Sequence, residues 1–229
     1  MDLEQHYHQM WTHAVRQFTV GNFEYDSLTD AGSNDQRRGI TLLARPSETV
    51  KEAVGKMLRD LHTSEPQQYY YPVTDIHVTV LSIISCYAGF SLSLIDIEAY
   101  KALVQKVLKN HKSFKVTFSG LTASPGSLII QGFPEDDTLN DIRNTLRRRF
   151  RNSELQHSID KRYAIQTAHS TVVRFKEPLA DSETFLRKAK KYKEVDFGTF
   201  EVNELELVFN DWYQKAENTV VLAKYCLEE

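Results

Sequence analysis

The stretches His77-Val78-Thr79-Val80 and His169-Ser170-Thr171-Val172 repeat one pattern: a histidine, a spacer, a threonine and an apolar residue, each inside a strand-like run. Successive side chains of an extended strand alternate between its two faces. His77 therefore projects with Thr79, and His169 with Thr171, while the spacer and the apolar residue turn away. One such stretch alone fits a half-buried strand histidine bonded to a backbone carbonyl better than a catalytic one. Two that face each other supply two proton-transfer groups and two hydroxyl donors to one space.

Working outward, the two stretches lie in matching surroundings, separated by 92 residues (169 − 77). Before the first comes a strand over 39–44, then a helix from a Ser47 cap to about Leu61, with Val50, Val54, Met57, Leu58 and Leu61 on one face. The histidine strand itself spans about Ile76 to Ile84. A helix over 96–110 follows, then a hairpin of Phe114–Leu121 and Leu128–Phe133 joined through Ser124-Pro125-Gly126-Ser127. The order then starts again. A helix over 137–151 carries Leu139, Ile142, Leu146 and Phe150, the second histidine strand spans about Ala168 to Phe175, and a helix spans about Ser182 to Tyr192. Two long strands, Thr199–Phe209 and Thr219–Leu227, end the chain. Each half reads helix, histidine strand, helix, hairpin. Smaller echoes agree: Tyr71 and Tyr163 each precede their histidine by six residues, and Phe114-Lys115-Val116 and Phe200-Glu201-Val202 each open a hairpin. Two copies of so long a period predict an α+β fold of two pseudosymmetric lobes, each an antiparallel-rich sheet with outer helices, flanking a central cleft. Residues 1–38, a helix to about residue 20 and a polar loop holding Asp30-Ala31-Gly32-Ser33-Asn34-Asp35, form an N-terminal extension outside the repeat. Residues 39–229 form the single bilobal domain.

Composition excludes several classes. At 41% apolar and 26% charged residues the 229-residue chain is neither disordered nor fibrous. A net charge of −3 argues against coating nucleic acid by phosphate neutralisation, and favours a small nucleotide or the end of an RNA. Cys86 and Cys226 stand far apart without histidine at ligand spacing, so neither a disulfide framework nor a zinc site is implied and a cytoplasmic setting is expected. His6, His8 and His13 offer no i, i+4 pair and read as surface residues. No His-Glu-x-x-His or Cys-x-x-Cys pattern occurs, so no metal and no cofactor is expected. No stretch approaches the length that crosses a bilayer, so neither a membrane nor a protein partner is implied.

The paired stretches resemble the signature of the two-histidine (2H) phosphoesterase superfamily, which includes bacterial 2′-5′ RNA ligase-like proteins and cyclic nucleotide phosphodiesterases. HVTV and HSTV match its His-x-Thr/Ser-apolar pattern at every position, and the repeated order extends the resemblance over roughly 39–227. The resemblance implies a LigT-like fold and metal-independent hydrolysis of a cyclic phosphodiester, of 2′,3′-cyclic phosphate type, on a nucleotide or RNA end. His77 and His169 would be acid and base, and Thr79 and Thr171 phosphate ligands. Histidine suits both roles because its ordinary pKa of about 6.5 lets both protonation states coexist near neutrality. The two motifs are nearly equivalent, so the sequence leaves open which is acid and which is base. Two rivals keep the same residues: a 2′-5′ phosphodiester ligase or esterase, and an RNA 3′-end trimming nuclease. A third is a non-catalytic nucleotide- or RNA-binding module.

Tyr71, Tyr163 and Arg174 are candidate substrate-binding residues, although strict alternation puts Arg174, five residues after His169, on the opposite face unless the strand bends. Trp212 and Tyr213 are of the types that stack on a base or pack a lobe seam. The run Arg147-Arg148-Arg149-Phe150-Arg151 reads as a solvated helix face. His62 and His111 sit at helix C-termini, where the dipole favours them, and His157 sits in a loop.

Overall fold

A computed structural model describes residues 2–26, 28 and 35–228, so the predicted loop segment 30–34 lies outside the described residues. Five helices form where apolar periodicity and caps predict them: α1 (Leu3–Thr19), α2 (Glu48–His62), α3 (Ile97–Leu108), α4 (Thr138–Arg151) and α5 (Ser182–Lys191). Asp2, Ser47, Asp96 and Asp181 each accept a first-turn amide with the side chain, satisfying donors that the helix itself leaves open. The strands are β1 (Arg37–Ala44), β2 (Tyr69–Tyr70), β3 (Val78–Ala88), β4 (Phe114–Ser124), β5 (Ser127–Pro134), β6 (Ser170–Arg174), β7 (Asp196–Val202), β8 (Glu204–Asp211) and β9 (Val220–Cys226).

The strands build two sheets, ordered β3-β1-β8-β9 and β2-β6-β5-β4-β7, and every strand pair in them is antiparallel. The fold is thus α+β with one histidine motif in each sheet. The unit that repeats in space is strand, helix, histidine strand: β1-α2-β3 in one sheet and β5-α4-β6 in the other. The lobes are not the sequence halves. The β4–β5 hairpin follows the first histidine strand in the chain but pairs with the second, and the β8–β9 hairpin joins the first through β1.

Two sequence expectations are corrected by this exchange. The single strand expected over Thr199–Phe209 is two strands, because the chain changes sheets at Asn203 between β7 and β8. Apolar alternation slips by one residue at this point, from Phe200 and Val202 to Leu205, Leu207 and Phe209, across the adjacent polar pair Asn203-Glu204. Phe200-Glu201-Val202 accordingly opens no hairpin; it pairs antiparallel with its own echo, with Val116 opposite Phe200 and Phe114 opposite Val202.

The N-terminal helix is built into the core. Its Trp11, Ala14 and Phe18 join the buried cluster, Thr122 of β4 donates its hydroxyl to the Tyr7 carbonyl, and the Tyr7 hydroxyl donates to the Gly132 carbonyl while accepting from the Gly132 amide. Gly132 has no room for a side chain: a Cβ there would stand 1.9 Å from the carbonyl oxygen of Ala168, the neighbour of His169. Gly132→Ala is expected to cost about 2 to 3 kcal/mol in urea unfolding, the range for overpacking against backbone that cannot yield. An unchanged midpoint would show that the β5–β6 approach is looser than described.

Candidate active site

The two motifs line one cleft that also takes in Tyr71, Tyr163, Arg174 and Trp212. Bulges aim the side chains. In β3 the partners of Ile40, Thr41, Leu42 and Leu43 are Ile84, Ser82, Leu81 and Thr79, so Ile83 and Val80 are extra residues. Each extra residue shifts the alternation by one, and Thr79, Ser82 and Ser85 all reach the cleft at intervals of three. In β6 the partners of Leu128 and Ile129 are Val173 and Thr171, which makes Val172 the extra residue. Val172 and Val173 are both buried, and Arg174 is returned to the cleft face beside Thr171. The alternation that put Arg174 on the opposite face is corrected by this bend. His77 itself lies one residue before β3, not within it.

Each histidine is oriented through Nδ1 by the residue two positions before it. His77 Nδ1 lies 2.7 Å from the Asp75 carbonyl oxygen, and His169 Nδ1 lies 2.5 Å from the Thr167 hydroxyl. A carbonyl only accepts, so neutral His77 carries its proton on Nδ1 and keeps a lone pair on Nε2. A hydroxyl donates or accepts, so either tautomer of His169 is satisfied.

Both imidazoles are pushed down to about 4. For His77 the chief cause is burial, followed by the positive charges of Arg45, His169 and Arg174, against the Asp75 hydrogen bond that favours protonation. For His169 the chief cause is again burial, followed by Arg143, His6 and Arg174. The histidines are close enough that protonating one opposes protonating the other. Free of ligand at neutral pH, the cleft therefore holds two neutral imidazoles in a positive field, an environment that favours an incoming anion.

Arg174 donates from Nε to the Tyr71 hydroxyl at 2.9 Å, with Asp26 4.0 Å from its Nη1. Tyr71 is buried and holds Arg174 in place, whereas Tyr163 is 67% exposed at the mouth of the cleft. Trp212 lines the cleft with the Arg162 guanidinium 4.4 Å and the Arg37 guanidinium 5.0 Å from its ring centre, an arrangement that fixes the indole by cation–π attraction. Tyr213 is buried and donates to Asp26, so it packs beneath the site. The loop carrying Arg162 and Tyr163 is pinned by Asp160, which accepts from Arg147 and Arg151; Arg148, Arg149 and Arg151 of the basic run are exposed and Arg147 is half-buried. His111 meets the last-turn carbonyl of Val107 as expected of a helix end.

Asp75, Thr167 and Ser82 escaped the sequence reading. Their signal was the repeat itself, since 167 − 75 and 174 − 82 both equal 92, but unlike residues occupy the paired positions.

No family model and no curated protein matches the sequence. Solved structures do. The apo form of LigT from E. coli matches with a TM-score of 0.58 and 12% identity, over 84% of this chain and 99% of that one. TT0787 of Thermus thermophilus matches with a TM-score of 0.57 and 17% identity, over 82% and 97%. A structure titled as a phosphoesterase matches with a TM-score of 0.55 and 14% identity, over 84% and 99%. At these identities the likeness is one of fold: the chain has the LigT-like α+β fold common to these structures.

Proposed function

We propose that this protein is a phosphoesterase that opens a cyclic phosphodiester, of 2′,3′-cyclic phosphate type, on a nucleotide or an RNA end. The observation that carries the reading is the convergence of two His-x-Thr pairs and Arg174 on one cleft. LigT structures complexed with 3′-AMP and with phosphate support a ligand of this class.

Ring opening needs a base on one side of phosphorus, an acid on the other, and donors for the non-bridging oxygens. One histidine takes a proton from water as its oxygen attacks phosphorus. The bond to one sugar oxygen breaks, and the other histidine gives that oxygen a proton. The lone pair fixed on His77 Nε2 suits the base, and His169, whose Thr167 partner accommodates either tautomer, suits the acid. Thr79 and Thr171 donate to the equatorial oxygens, and Arg174 offsets their charge. The entering phosphodiester itself raises the low histidine pKa values, so the acid becomes charged only with substrate in place. No group beyond these side chains is needed for the proton transfers.

The test is ³¹P NMR of the wild-type protein with the four 2′,3′-cyclic nucleotides. The expected product is one phosphomonoester isomer, and Thr79→Val or Thr171→Val is expected to slow its formation by about 10²-fold, as loss of one donor to a developing oxyanion does. Release of mononucleotides from an RNA 3′ end with cyclic phosphates untouched would move the reading to a trimming nuclease. Complete inertness toward both would leave a binding module.

A further inference from the structure

Arg143 lies on the same face of α4 as Leu139, Ile142 and Leu146, and no solvent reaches it. Salt bridges to carboxylates are the usual company of a buried guanidinium. Among the described residues this one binds only backbone: Nε donates to the Val80 carbonyl at 2.9 Å, and Nη2 donates to the Thr79 carbonyl at 2.8 Å and the Thr167 carbonyl at 2.9 Å. Its Nη1 has no hydrogen-bond partner among the described residues.

These acceptors are not a random sample of the backbone. Thr79 and Val80 are the last two residues of the first motif, and Thr167 is the residue whose hydroxyl orients His169. β3 stands at the edge of its sheet, so the carbonyls on its outer side have no strand to receive them. Arg143 takes those of Thr79 and Val80, and further along the edge the Ser158 amide takes that of Ile83. The two sheets therefore meet beside the histidines through one guanidinium, not through a shared ladder.

We propose that Arg143 is a positioning residue that sets the spacing of the two histidines by joining the backbone of the first motif to the residue that orients the second. The proposal rests on the phosphoesterase reading for its catalytic consequence, but not for its geometry. The planar fork of arginine reaches three carbonyls at once, which the single ammonium of lysine does not reproduce. The guanidinium also adds a fixed positive charge next to His169. The other titratable or charged groups facing that ring are His6 from α1, Arg174 from β6 and His77 across the cleft, and burial with Arg147 nearby lowers Arg143 itself only to about 10, so Arg143 stays charged at neutral pH.

Arg143→Met removes bridge and charge at similar volume, and Arg143→Lys removes the fork while keeping the charge. Imidazole NMR titration of the free protein reads the Arg143 charge held beside His169 without any turnover. In Arg143→Met the His169 midpoint is expected to rise while that of His77 stays, because Arg143 is among the charges acting on the former and not the latter; in Arg143→Lys both stay low. Turnover of a 2′,3′-cyclic nucleotide is expected to fall at least tenfold in both variants, through kcat more than KM. Equal movement of both midpoints, or folded variants turning over within twofold of wild type, would overturn the proposal; should Arg143→Met fail to fold, Arg143→Lys decides it. A wild type without turnover sinks the phosphoesterase reading alone, and the selective His169 shift then stands or falls separately.

Discussion

His77→Ala and His169→Ala are each expected to lower kcat on a 2′,3′-cyclic nucleotide by about 10² to 10⁴-fold, the span for removing a general acid or base. KM should change only a few-fold. Thr79, Thr171 and Arg174 remain to hold the phosphate, and neither histidine anchors another cleft side chain, since their ring hydrogen bonds run to Asp75 and Thr167. The double variant should be little worse than the poorer single one, because base and acid act in one step and losing either removes most of what the pair supplies. Thr171→Ser, which keeps the hydroxyl, should stay near wild type. Steady-state kinetics with folded proteins decides the matter: either alanine variant turning over at the wild-type rate would remove that histidine from the chemistry.

The sequence showed the parts of this site more readily than its assembly. Local signals were reliable where one residue does one job: Ser47 and Asp96 cap helices, and Pro125-Gly126 turns the β4–β5 hairpin. Both histidines and both threonines were legible because two identical patterns recur at one interval. What stayed hidden depends on partners distant in the chain. The bulges at Val80, Ile83 and Val172 exist only relative to β1 and β5, yet they decide that Ser82 and Arg174 face the cleft. The exchange of hairpins between lobes is likewise a matter of pairing: the slip in apolar alternation at Asn203-Glu204 marks a break in the strand but not the sheet that the chain joins next. Arg143 was invisible for a different reason. An arginine in a basic helix reads as solvated, and only the uncovered edge of β3 gives it a use in the core.

Between pH 7 and about 4.5 the protein is expected to lose several kcal/mol of stability, and most of that loss should vanish in a His77→Gln/His169→Gln double variant. Both imidazoles sit near 4 in the folded state, against about 6.5 in the unfolded chain. The unfolded chain therefore binds more protons throughout this window, and unfolding becomes easier as pH falls. The stabilising share is complete above about pH 6.5 and gone near pH 4. A full shift of that size corresponds to about 3 kcal/mol per histidine, which water in the open cleft reduces to about 2. His157, lowered chiefly by burial, adds the same sign in both proteins. Asp75 works the other way: burial raises its carboxyl above the ordinary value, so it takes up a proton early in the folded state and offsets part of the loss at the acid end. Asp35 and Asp60 are held below the ordinary carboxylate value by partners, Arg37 and Tyr192 first, and they give up their share only at lower pH still. Urea unfolding at half-unit pH steps separates these contributions, and parallel curves for wild type and double variant would show that the cleft does not hold its histidines neutral. Inorganic phosphate should flatten the wild-type curve, whereas in the double variant it should raise stability without that histidine-dependent change of slope. An anion that restores the histidines' affinity for protons is stabilised by those protons in return. That linkage is the property a site needs if its acid is to be charged only when a phosphate is present to use it.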